Sequence, residues 1–379
     1  MQAYLDNAAT TPLDPEVLSA MQGFMATHYG NPSSVHAKGR EARVELEKAR
    51  KSIANIIGCK DKELIFTSGG TEANNAVLKS VSLSKKIKRI ISSPIEHHSV
   101  LDTLDWIKEN TQVEIIFLDV NNRGDIDLEQ LQHLLEQNFS TLVSLMHGNN
   151  EIGNLLDLEL VGNLCRNHNA LFHTDMVQTL GHLPVKLNTL LIDYATASAH
   201  KVHGPKGIGF IYINSKTAKL TPFLFGGAQE RSIRAGTENG SGIIGMGKAY
   251  EIASKSFDKD NKYHLKLKNY AIDKLSSLLP SITFNGNCND KNASLSNIIN
   301  LSLPGTYDDT LLFNLDLQGV YLSEGSACSS GASEGSHVIS SIVKREAKTN
   351  NLRLSFSKFT TIEELDYAIN IIAEVTSKA

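Results

Sequence analysis

Two segments carry side chains suited to covalent chemistry. In Ser198-Ala-His200-Lys201-Val-His203-Gly-Pro-Lys-Gly207 a lysine follows a β-rich run among small residues and histidines. A dry pocket there lowers the lysine pKa, and the free amine can form a Schiff base with a carbonyl compound. An exposed loop lysine is the competing reading, because lysine is seldom buried. His200 and His203 as zinc ligands form a third, but no cysteine or carboxylate stands at ligand spacing. The second segment is Ser323-Glu-Gly-Ser-Ala-Cys328-Ser-Ser-Gly331. Its small residues predict a loop that leaves the sulfur accessible, as a nucleophilic thiolate needs. Cys59 after a helix end, Cys165 in an apolar helical pattern and Cys288 in a polar loop read as structural.

Three further segments could position a ligand. Ser68-Gly-Gly70-Thr71-Glu-Ala-Asn follows a strand pattern and opens a helix. Glycines there let the backbone approach an anion, and the helix start supplies free N–H groups. A plain turn is the alternative. His173-Thr-Asp175-Met-Val-Gln178 places a carboxylate at a strand end, where it can pair with a protonated ring nitrogen such as that of pyridoxal phosphate. Met146-His-Gly-Asn-Asn150 adds amides that can reach a phenolic oxygen. Each also reads as a loop cap. Gly242-Ile-Ile-Gly-Met-Gly-Lys248-Ala249 nearly matches a nucleotide phosphate loop, but Ala249 replaces the metal-binding hydroxyl and no strand precedes it.

The elements that must carry these residues alternate. Residues 63–68, 89–93, 113–118, 141–146, 170–173, 192–196 and 208–213 read as strands. Helical patterns at 72–80, 99–110, 128–137 and 158–167 lie between them. Such alternation predicts an α/β fold, a mostly parallel sheet covered on both faces, with ligands beyond the carboxyl ends of the strands. Before it, Ser33 or Ser34 is expected to cap a long helix bearing Val44, Leu46, Ile53, Ile56 and Ile57 and ended by Gly58. A helical stretch to about residue 279, strands near 282–284 and 297–301, and a last helix at 362–376 predict a smaller α+β unit completed by the N-terminal segment. The expected division is a large domain at 14–250 and a small one formed by 1–13 and 251–379.

Composition narrows the partners. Apolar residues make up 41% and charged residues 21% of 379, ordinary globular usage. A formal charge of −4 gives no bulk field for nucleic acid or an anionic membrane. The run Lys85, Lys86, Lys88, Arg89 reads as a solvated edge. No apolar run approaches the roughly 20 residues that cross a bilayer, and the start lacks a signal or transit pattern. Four scattered cysteines fit neither a disulfide framework nor a zinc ribbon, so a cytoplasmic setting is expected.

Read in order, Tyr4-Leu-Asp-Asn-Ala-Ala-Thr-Thr-Pro12, Gly30-Asn-Pro-Ser-Ser34, Glu96-His97, Asn149-Asn-Glu-Ile-Gly153, His200-Lys201, Gly325-Ser-Ala-Cys328 and Leu352-Arg-Leu-Ser-Phe356 resemble the cysteine desulfurases. These belong to the class V group of fold-type I pyridoxal-phosphate enzymes, and the Gly-Ser-Ala-Cys form is similar to the NifS/IscS-type branch. The resemblance spans almost the whole chain. It implies pyridoxal 5'-phosphate on Lys201, Asp175 at the pyridinium, and His97 stacked on the ring and assisting proton transfer. Gln178 and Asn150 would contact the phenolic oxygen. Gly70, Thr71, Ser198 and His200 would hold the phosphate, with Thr237 reaching in from the partner of a homodimer. Arg353, helped by Asn31, would grip the carboxylate of L-cysteine. Cys328 would take the sulfur as a persulfide and pass it to an acceptor protein for iron–sulfur cluster assembly or thiolation. The runner-up is selenocysteine lyase or another class V enzyme. A cofactor-free sulfur carrier on the same fold is a more distant reading, which Lys201, Asp175 and His97 argue against. Several positions depart from the family pattern: Met176 where a small residue is usual, Glu324 near Cys328, Ala235 near Thr237, a short stretch from Val343 to Asn351, and a short tail after the last helix. The tail puts the usual scaffold contact in question.

Overall fold

The computed structural model describes residues 1–84, 86–303, 307–325, 335–343 and 349–376. Seven strands form the main sheet in the order Leu64–Thr67, Gly209–Ile213, Tyr194–Ser198, Leu171–Asp175, Thr141–Ser144, Arg89–Ser92, Glu114–Phe117. Every pairing is parallel except the two made by Gly209–Ile213, which runs against both neighbours. Side chains alternate across the sheet. Phe66, Ile91, Val143, Phe172 and Phe210 enter one core, while Ile65, Ile90, Leu142, Tyr194 and Ile211 enter the other. Both faces are apolar because helices cover both, as the strand–helix alternation predicts.

Local chemistry sets the helix limits. Ala37–Ile57 stops at Gly58, whose φ of 71° suits a residue without Cβ. Its N-cap is His36, which accepts from Gly39 N–H, and not Ser33 or Ser34. Ser34 N–H is spent on the Asn31 carbonyl in the preceding turn, so the helix starts later than expected. Val44 is exposed and leaves Leu46, Ile53 and Ile57 to face the core. Asp157 caps Leu158–Asn167 by accepting from Leu160 N–H. The basic run is also corrected at one end. Arg89 is 4% exposed, donating to Glu114 at 2.7 Å and Gln137 at 2.8 Å, with its guanidinium 4.2 Å from the Phe139 ring. As the first residue of an inner strand it is covered by its neighbours. Residue 85 lies outside the described residues.

Gly240–Leu278 is one helix of 39 residues, about 58 Å at 1.5 Å per residue. It absorbs the glycine run at 242–247, which therefore forms no phosphate loop. Its first part packs in the core of the main sheet through Ile243, Met246, Ala249 and Tyr250. Its last turns join a separate core through Leu267, Ala271 and Leu275. That second core includes the antiparallel strands Thr283–Phe284, Ile298–Leu303 and Asn350–Ser355, and the helix Ile362–Thr376. The chain start belongs to it, since Ala3–Tyr4 pairs in parallel with Val320–Tyr321. Beyond Leu5 the same segment crosses to the main sheet, where Thr11 N–H donates to the His200 carbonyl. One extended segment thus ties both cores to the loop that carries Lys201. Cys165 and Cys288 are buried and Cys59 is partly covered, all three free thiols. Burial pushes Cys59 and Cys165 up to about 12, so they stay protonated and inert.

Candidate active site

The strand ends deliver their residues to one place. A cleft with about 180 Å³ of free space is lined by Gly70, Thr71, His97, Asn150, Asp175, Gln178, Ser198, His200, Lys201 and Arg353, together with Ala8, Ala9 and Ser99. Ten of the thirteen expected site residues therefore meet there. Gly70 begins the helix Gly70–Leu83, and a Cβ on it would stand 2.8 Å from Val177 Cγ2. Glycine is required for the helix start to sit this low over the loop after Asp175. Among the described residues no side chain caps Gly69, so the first N–H groups of the helix remain for an anion.

Lys201 Nζ donates to the carbonyl oxygens of Ala8 and Ala9, the latter at 2.8 Å. The chain start thereby fixes the amine at the edge of the cleft. Asp175 is 6% exposed. Its Oδ1 accepts from Val177 N–H at 2.9 Å and its Oδ2 from Asn74 Nδ2 at 2.6 Å. His97 caps the helix His98–Asn110 by accepting from Ser99 N–H through Nδ1. Burial, then the nearby Lys201 and two histidines, lower its pKa against the opposing pull of Asp175. His200 is pushed down to about 4 by burial and then by Lys201, so its ring is neutral. Gln178 Nε2 donates to the Ala8 carbonyl at 2.9 Å. Arg353, 1% exposed, donates Nη1 to the Asn150 carbonyl at 2.9 Å and Nη2 to Asp6 at 2.7 Å. Among the described residues its Nε has no partner.

Three expected residues remain. Asn31 is exposed and outside the cleft, its Oδ1 accepting from Ser33 N–H at 2.9 Å. The turn before the long helix uses that side chain. Thr237 lines a separate hollow with Ser68, Glu230 and Arg234, behind the helix start. Cys328 lies outside the described residues. The structure also brings in Asn74, Ser99 and Asp6, which sequence reasoning missed. Asn74 carried a usable signal: it shares a helix face with Ala73, Val77, Leu78 and Val81, and an amide on an apolar face needs partners. Asp6 gave none, since its partner is 347 residues away.

The model of the class-V aminotransferases matches residues 3–368. A cysteine desulfurase IscS of Dictyoglomus turgidum is 43% identical over all of this chain and 95% of its own length. The chain belongs to the class-V aminotransferase family, among its cysteine desulfurases. A solved NifS-like protein superposes with a TM-score of 0.92 at 36% identity, covering both chains fully. A structure titled SspA in complex with cysteine follows at a TM-score of 0.80 and 28% identity, covering 95% of this chain and all of that one.

Class-V aminotransferases depend on pyridoxal phosphate, and the cleft suits that group. It offers an uncapped helix start over a glycine cradle for the phosphate, a carboxylate for a pyridinium, an amine for the carbonyl and a neutral histidine beside them. The donor set matches the cofactor's charges one by one.

Proposed function

We propose that this chain is an L-cysteine desulfurase that converts L-cysteine to L-alanine and carries the sulfur as a persulfide on Cys328. The observation that supports it most is the meeting of Lys201, Asp175, His97 and Arg353 in one cleft with an uncapped helix start. When bound, pyridoxal phosphate supplies an electron sink for the substrate's α-carbon.

The residues divide the rest of the work. Lys201 would hold the cofactor through its amine. Asp175 would pair with the protonated ring nitrogen, and His97 would stack on the ring. Gly70, Thr71, Ser198 and His200 hold the phosphate through N–H and side-chain groups. Gln178 and Asn150 would contact the phenolic oxygen. Arg353 presents a fork to the substrate carboxylate. Cys328 as thiolate attacks the substrate sulfur. The C–S bond breaks with its electron pair left on carbon, which a proton then joins to give alanine. The sulfur remains as Cys328–S–S⁻, ready for transfer to an acceptor thiol.

The chain works as two domains, 14–250 and 1–13 with 251–379, with Gly240–Leu278 running through their boundary. It acts as a homodimer in which Thr237 serves the phosphate of the partner's site. Its setting is cytoplasmic, and the acceptor is a protein of cluster assembly or thiolation. Among the described residues no helix is long and apolar enough to cross a membrane.

Mass spectrometry after incubation with L-cysteine tests the reading. The expected result is a Cys328 peptide heavier by one sulfur, with alanine formed in step. Full sulfur release from cysteine by Cys328→Ala overturns the persulfide route.

A further inference from the structure

One buried amide touches both sides of the catalytic apparatus. Asn74 is 0% exposed in the helix Gly70–Leu83. Its Nδ2 donates to Asp175 Oδ2 at 2.6 Å and to Ser99 Oγ at 2.9 Å. Its Oδ1 accepts from Thr196 Oγ1 at 2.7 Å. A carboxylate oxygen can only accept from the amide, so Asp175 fixes which end of Asn74 is NH2. Ser99 Oγ, having accepted from Asn74, directs its single proton to His97 Nδ1 at 2.8 Å. The Ser99 backbone N–H, which can only donate, reaches the same nitrogen at 3.0 Å. Two donors aimed at Nδ1 leave the ring proton of His97 on Nε2.

From this geometry we infer that Asn74 is a positioning residue, which through Ser99 joins Asp175 and His97 in one directional hydrogen-bond chain and keeps His97 as the Nε2–H tautomer. Every donor and acceptor along Thr196–Asn74–Ser99–His97 has one assignment. The chain has a chemical consequence. The lone pair of neutral His97 is on Nδ1 and is occupied by Ser99, so resting His97 enters the reaction as a hydrogen-bond donor and not as a base. A proton taken from substrate would go to another group, and Lys201 lines the same cleft. The same chain stiffens Asp175 by orienting its Oδ2 while Val177 N–H orients Oδ1.

This inference rests on the pyridoxal-phosphate reading for its consequence, but not for its geometry, and two measurements separate them. In protein stripped of cofactor, nitrogen-15 NMR of the histidine rings should show His97 protonated at Nε2 and bare at Nδ1. Asn74→Ala should move the Nδ1 resonance as the Ser99 hydroxyl loses its donor. A His97 protonated at Nδ1 overturns the proposal, whatever the enzyme binds. In the second measurement, pyridoxal phosphate is titrated back. Asn74→Ala should weaken its binding roughly tenfold to a hundredfold, the size expected for a lost hydrogen bond to a charged group. Adding Ser99→Ala to Asn74→Ala should cost less than Ser99→Ala alone, because both cut one chain. Additive losses, or a loss of thermal stability in Asn74→Ala with unchanged cofactor affinity, mean that Asn74 only fills space and overturn the inference. Unaltered protein that takes up no pyridoxal phosphate sinks the functional reading and leaves the tautomer result standing.

Discussion

Asp6 Oδ1 sits 2.7 Å from Arg353 Nη2, across 347 residues of sequence. The arginine proposed to receive the substrate carboxylate is therefore already paired before any substrate enters. The pairing has a physical reason. A guanidinium 1% exposed would be costly without a counter-charge, and Asp6 supplies one while the Asn150 carbonyl takes Nη1. Nε stays without a partner among the described residues, which leaves an N–H for the incoming carboxylate.

Replacing Arg353 by lysine keeps the charge and loses the planar fork. Steady-state kinetics of Arg353→Lys should show KM for cysteine raised roughly tenfold or more, with kcat reduced less. An unchanged KM would place the carboxylate elsewhere.

Lys201→Ala removes the amine proposed to hold the cofactor. Borohydride reduction of unaltered protein followed by peptide mass spectrometry should find the cofactor mass on the Lys201 peptide. The variant should show no such adduct on any lysine and no visible absorbance.

Stability should fall in mild acid. Burial pushes His147 down to about 4 and His173 and His264 to about 3. Their unfolded values lie near 6.5, so between about pH 6.5 and 4 the unfolded chain binds more protons than the folded one. Their neutral burial costs nothing above about 6.5, and stability is lost as pH drops below it. Urea unfolding at stepwise pH from 7.5 to 4.5 should show a steadily falling midpoint. A flat profile over that range would contradict the buried, neutral state of these rings.

Two ion pairs should differ sharply. Arg50 and Glu230 are buried and bidentate, with contacts of 2.9 and 2.7 Å, and Glu230 also accepts from Phe66 N–H. Lys38 and Glu41 form an exposed pair one helical turn apart. Glu230→Ala leaves the buried guanidinium with only the half-exposed Glu47 as counter-charge and should cost about 3 kcal/mol in denaturant unfolding. Lys38→Ala should leave the unfolding midpoint almost unmoved, because water and salt screen an exposed pair.

Much of this protein could be read without coordinates, and the reason is range. Glycine at 58 ends its helix, residues 158–167 carry a helical pattern, and the alternation of Ile90 and Ile91 or Leu142 and Val143 marks a sheet covered on both sides. These signals act within four residues. Lys201, Asp175 and the glycines at 69–70 were legible because each ends or follows a strand, and strand ends in such sheets converge, whereas His97 came from the family resemblance. Sequence alone could not reveal that Gly209–Ile213 runs antiparallel, since one strand's pattern does not depend on its neighbour's direction. Nor could it show that Arg89 is covered, that Asn31 stays outside, or that Asp6 meets Arg353. It could not show that Asn74 serves both Asp175 and His97. A polar side chain finds such partners only after the sheet has closed and brought distant loops within hydrogen-bond reach, so tertiary structure decides them.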